Sequence, residues 1–176
     1  MKINTEKMRL AVRILLILAM VITVAFIFSN SMKSKTESSK DSGIVSDIIA
    51  EIIPPDTSLG ATIQKNIRKI AHFTEFGALG IEVALYIWIF CGKKIKSASF
   101  SVLFALVVGF CDETIQIFFD RGASISDVWI DVGGFCFFSL ISHGVCFCAM
   151  WIYRRVKNME KDTEPSARTA EEDNNG

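Results

Sequence analysis

Four long apolar runs dominate the chain: 10–28, 67–91, 99–119 and 128–153. Each has about the 20 residues needed to cross a hydrocarbon core of roughly 30 Å. Backbone polar groups find no water there, so each run must close its hydrogen bonds internally, as a helix. Over all 176 residues the chain is 51% hydrophobic, with a mean hydropathy of +0.38. A soluble domain carries about 45–50% apolar residues even with glycine counted. The pattern predicts an all-α fold: a four-transmembrane-helix bundle over residues 1–155, with a disordered, acidic cytoplasmic tail over 156–176.

Lys2, Lys7 and Arg9 precede the first run, as they would in a cleaved signal peptide. The run is longer than the usual apolar region of about 7–15 residues, and no A-x-A site follows, which favours a retained span. Cys91, Cys111, Cys136, Cys146 and Cys148 lie in or beside apolar runs without CxxC spacing. They read as free thiols packed as small hydrophobes, not as a zinc site or a disulfide framework. Nineteen basic residues balance nineteen acidic ones, so bulk charge argues for no nucleic-acid partner.

Basic residues set the orientation. Lys2, Lys7, Arg9 and Arg13, then Lys93, Lys94 and Lys96, then Arg154, Arg155 and Lys157 share one side of a four-span chain. The expectation is N-in, C-in. The long first loop, 29–66, is extracytoplasmic in that arrangement, although it carries lysines of its own. Within it Ile44, Val45, Ile48, Ile49, Ile52 and Ile53 recur at helical spacing before Pro54-Pro55. That spacing predicts a short amphipathic helix. It fits a helix on the membrane surface, a lid over the bundle or an element packed on the bundle top.

The charges inside the spans carry the functional signal. In the second span Arg68, His72, Glu75, Leu79 and Glu82 fall on one stripe, flanked by Lys69. Gly77 and Gly80 suit close helix approach. The third span ends with Asp112, Glu113 and Gln116, and the fourth begins with Asp127, Asp131 and Gly134 on one face. At 1.5 Å per residue, His72 and Glu75 lie roughly 8–12 Å in from the outer start of their span. Asp112, Glu113 and Gln116 lie roughly 5–10 Å in, and Asp131 about one turn in. Three segments thus place ionisable groups at one level. A charge at mid-membrane costs at least about 2.5–3.5 kcal/mol, so these groups must face one another or a wet cavity. Arg68, Lys69, His72 and Arg121 are the bases available to Glu75, Asp112, Glu113, Asp127 and Asp131. The plain reading is a network that only holds helices together. Such contacts average about 0.6 kcal/mol in membranes, a weak reason to accept the burial. His143, with no acidic partner at its depth, reads as a packed or hydrogen-bonded histidine.

At these residues the chain resembles the VanZ-like family of small bacterial membrane proteins. The resemblance runs through Arg68-Lys-Ile-Ala-His-Phe-Thr-Glu-Phe, then Asp112-Glu-Thr-Ile-Gln-Ile-Phe, then Arg121 followed by Asp127 and Asp131. It covers roughly residues 66–140. Two departures stand out: Phe119-Asp120 precede Arg121 where the family often has Pro-Gly, and Ile115 stands where a histidine often precedes the glutamine. The resemblance implies a multi-pass protein of a bacterial plasma membrane, with a cell-envelope role. It also implies a link to low-level resistance to teicoplanin, a lipid-tailed glycopeptide.

Three functions compete. In the first, an outward charged cavity lined by Arg68, Lys69, His72, Glu75, Asp112, Glu113, Gln116, Arg121, Asp127 and Asp131 binds a lipid-linked cell-wall precursor or a lipoglycopeptide. Arginine suits its phosphate or carboxylate. In the second, His72 with Glu75, Asp112 and Glu113 forms an intramembrane acid/base or divalent-metal enzyme acting on a lipid phosphate. No HExxH, G-x-S-x-G or P-loop signature supports it, and the sequence assigns no metal ligands and no cofactor. In the third, Glu82, Glu75 and Asp112 move protons or ions, which in so small a chain would call for a homo-oligomer.

Overall fold

Each apolar run folds as a helix longer than the run itself. The computed structural model describes residues 5–54, 56–91, 94–119, 122 and 124–172. Their elements are α1 (Thr5–Ser31), α2 (Lys35–Ile52), α3 (Ser58–Phe90), α4 (Lys94–Phe118) and α5 (Ile125–Glu172). Among the described residues there is no strand. Four helices, α1, α3, α4 and α5, are long and apolar enough to cross a membrane. Four crossings leave the start of α1 and the end of α5 on one side of the bilayer. The ends Ser31 and Phe118 and the starts Ser58 and Ile125 gather on the other.

Apolar side chains exposed along α1 and α5, such as Leu15, Ile22, Leu140 and Phe147, face outward where lipid would surround them. The core is small and central. Ile27 of α1, Phe76, Leu79, Val83 and Ile87 of α3, Ala105 and Val108 of α4, and Val128, Val132 and Phe135 of α5 form one cluster. Helix α3 is its axis and packs most extensively on α5. Two glycines make that contact close. A Cβ on Gly80 would run into the Phe135 carbonyl of α5, and a Cβ on Gly134 into the Phe73 carbonyl of α3. Helices in lipid gain little from apolar burial, so backbone approach at small residues supplies much of their association.

Two elements differ from the sequence expectation. Helix α2 begins at Lys35, nine residues before Ile44, because Ser34 and Glu37 form a capping box: each side chain bonds the other's backbone N–H. Of its apolar residues, Ile44, Val45, Ile48 and Ile52 are exposed, whereas Ile49 and Ile53 are half-buried and the helix contacts α3. That is how a helix lying in a membrane interface presents itself. Helix α5 continues to Glu172, through most of the stretch for which the sequence suggested disorder. Extending an existing helix costs far less than nucleating one, and the span supplies the nucleus.

Candidate functional site

The polar groups of the four membrane helices meet where α1 and α4 end and α3 and α5 begin. Asp112, Gln116 and Asp131 are fully buried, and Glu113 nearly so. His72 lies between two carboxylates, its Nδ1 3.7 Å from Asp112 Oδ2 and 3.8 Å from Asp131 Oδ1. The heptad-like offset that put Arg68, His72 and Glu75 on one stripe of α3 turns them all toward this point.

Asp112 is held on both oxygens. Ser31 Oγ donates to Oδ1 at 2.5 Å, and Gln116 Nε2, one turn on, donates to Oδ2 at 2.9 Å. The carbonyl oxygen of the Gln116 side chain accepts from Arg68 Nη2. Arg68 thereby orients the amide that orients Asp112. Glu113 turns another way. Its Oε2 accepts from the Ser124 backbone N–H at 2.8 Å and its Oε1 from Gln116 at 3.3 Å, so it ties the α4–α5 connection to the pocket. Asn30 Nδ2 donates to Glu75 Oε1 at 2.8 Å. Asp131 is treated differently: among the described residues, no hydrogen bond reaches either of its buried oxygens.

Two cavities flank this cluster and share Arg68 and His72. One, of about 280 Å³, lies between α1, α2 and α3, with Phe26, Asn30, Lys33, Ser38, Ser42, Val45 and Glu75 on its walls. The other, of about 210 Å³, lies between α3 and α5, lined by Lys65, Asn66, Lys69, Asp127, Ile130 and Asp131. Helix α2 therefore walls the first cavity with Ser38, Ser42 and Val45, while Ile44, Ile48 and Ile52 are exposed.

The sequence pointed to nearly all of these side chains but not to their pairing. His72 meets Asp112 and Asp131, whereas the sequence grouped it with Glu75, Asp112 and Glu113. Lys69 is exposed at the second cavity. Arg121 lies outside the described residues. Asn30 and Ser31 of α1 were missed because they fall just beyond the apolar run ending at Phe28. Their signal was depth, since two polar residues at that boundary lie level with the acids. Glu82, deeper in α3, accepts from Thr23 Oγ1 of α1 at 2.8 Å. His143 Nδ1 bonds the Ser139 carbonyl of its own helix at 2.8 Å and its ring packs beside Trp88. All five cysteines are free.

Compared with known proteins, residues 14–150 match the family model described as VanZ/LLP1. No curated protein and no solved structure matches the chain.

Proposed function

The chain belongs to the VanZ/LLP1 family, and from that premise we propose that it binds the anionic headgroup of a lipid-linked cell-envelope component. The protein is a multi-pass resident of a bacterial plasma membrane, with both ends of the bundle in the cytoplasm and the pocket opening on the extracytoplasmic side. The observation that carries this reading is the first cavity. Cationic Lys33 and Arg68 share its walls with apolar Phe26 and Val45. A phosphate with an acyl or prenyl tail needs that pairing of chemistries: charge for the head and an apolar path for the chain. Helix α2 forms one wall and exposes Ile44, Ile48 and Ile52, which suits a helix seated where headgroups meet acyl chains. A lipid-linked cell-wall precursor and the lipid-tailed antibiotic teicoplanin share this chemistry. Lowered susceptibility to teicoplanin would follow from competition or altered precursor presentation at this pocket.

The test is direct binding of a polyprenyl phosphate to the purified chain in phosphatidylcholine nanodiscs. A charge-assisted hydrogen bond contributes about 1.5–3 kcal/mol, so Arg68→Gln should weaken binding by roughly 10-fold or more. Equal affinity in wild type and Arg68→Gln would sink the reading. In cells, Glu75→Gln and Asp112→Asn should leave the protein in the membrane yet abolish any teicoplanin phenotype.

A further inference from the structure

We propose that His72 of α3, Asp112 of α4 and Asp131 of α5 together hold a divalent transition-metal cation. The inference goes beyond headgroup binding and stands without it, because the cation can be measured with no lipid phosphate added.

Distance is the first argument. One ligand atom from each of the three side chains lies within 4.8 Å of the other two. His72 Nδ1 stands 3.7 and 3.8 Å from its two carboxylate neighbours, beyond the usual hydrogen-bond range of about 2.7–3.2 Å. Ligands each about 2.1 Å from one cation, at near-tetrahedral or somewhat wider angles, stand about 3.4–3.8 Å apart. Both histidine–carboxylate spacings are long for direct bonding and match ligands of a shared ion.

Asp131 is the second, independent argument. Its side chain is sealed within the bundle, and among the described residues neither oxygen accepts a hydrogen bond. A buried carboxylate without hydrogen-bond partners is strongly disfavoured, and such groups pair or coordinate metals. Asp112 shows the complementary arrangement: Ser31 and Gln116 fix its orientation while lone pairs on Oδ2 still face His72. Hydrogen bonds behind a ligating carboxylate are the usual support of a metal site.

Charge and access agree. When ionised, the two converging carboxylates beside the imidazole would place two negative charges in the membrane, and a dication would cancel them. One nitrogen and two oxygens suit Zn²⁺ or Mn²⁺; an all-oxygen set would suit Mg²⁺ or Ca²⁺. His72 lines both cavities and Asp131 the second, so a coordination position left open would adjoin the space assigned to the headgroup. A phosphate oxygen is the class of ligand that would fill it.

The experiment is elemental analysis of the full chain, purified in detergent without chelators. The expected result is about one Zn²⁺ or Mn²⁺ per chain, falling below about one-tenth in Asp131→Asn and His72→Gln, each checked by circular dichroism. Arg13→Ala, at the other end of the bundle, should keep its full complement. Ser31→Ala should retain the site with affinity lowered about 10-fold, the effect of losing a supporting hydrogen bond. Should Asp131→Asn and His72→Gln fail to fold, wild type stripped with EDTA and titrated with Co²⁺ decides the matter by visible d–d bands at one equivalent. Wild type holding less than one-tenth of a metal and giving no Co²⁺ bands would overturn the proposal and leave a proton between the aspartates. Full metal content in both folded variants would equally overturn it, by placing the ion elsewhere.

Discussion

The two ends of the bundle treat charge in opposite ways. At one end Arg68, His72, Asp112, Glu113 and Asp131 turn inward from three helices and are largely withdrawn from the surface. At the other, Arg13 of α1 reaches across the surface to α3. Its Nε donates to the Tyr86 hydroxyl at 3.0 Å, and its guanidinium sits 5.9 Å from the Tyr86 and Phe90 ring centres. Arg155 stacks on Trp151 of its own helix at 5.0 Å. Arginines beside aromatic rings at a helix end are anchors at a membrane interface, where the charge stays wet and little energy is at stake. Charges gathered inward must satisfy one another or take up something from outside. The difference teaches where to look for function: charge is informative in proportion to what its burial costs.

The largest expected effect would break the comparison itself. Gly134→Val drives a side chain into the Phe73 carbonyl and forces α3 and α5 apart. Overpacking typically costs about 1–3 kcal/mol and more against rigid backbone, so thermal unfolding in detergent should shift strongly or the protein should fail to accumulate. Unchanged stability would mean that the two helices do not approach as described. Next comes Asp112→Ala, which leaves the buried Ser31 hydroxyl without its acceptor and strips Gln116 of its shortest one. A loss of about 2 kcal/mol is expected, and a loss under about 0.5 kcal/mol would show the polar end to be wet and loosely held.

Smaller effects sharpen the contrast. Thr23→Val removes one interhelical bond to Glu82 in the body of the bundle, and bonds of that kind average about 0.6 kcal/mol in membranes. The variant should keep lipid-phosphate binding intact. A large binding defect there would extend the working site inward along α3. Arg13→Ala should be the mildest, at or below about 0.5 kcal/mol, with no change in lipid-phosphate affinity. If it matched Arg68→Gln in its binding defect, the two ends would not differ in role.

Much of this was legible in the chain. Bilayer thickness and the absence of water in it force long apolar runs into spanning helices. Helical period and rise then fix the face and depth of each residue on its own helix. From those rules alone His72, Glu75, Asp112 and Asp131 fall at one level. The capping box Ser34-Lys-Thr-Glu37 was equally present in the sequence, although the start of α2 was expected further along. Its serine and glutamate lie in a Ser/Lys-rich stretch that reads as loop by composition.

What the sequence by itself determined is therefore the spans, their polar stripes and the shared depth, because each follows from one helix and the solvent around it. Partner choice is a different kind of property. That His72 stands between Asp112 and Asp131, that Asn30 and Ser31 complete the pocket, and that Glu113 serves the α4–α5 connection were decided only by the tertiary structure. Rotation and separation of whole helices set those contacts. They depend on backbone approach at Gly80 and Gly134, which no single helix specifies.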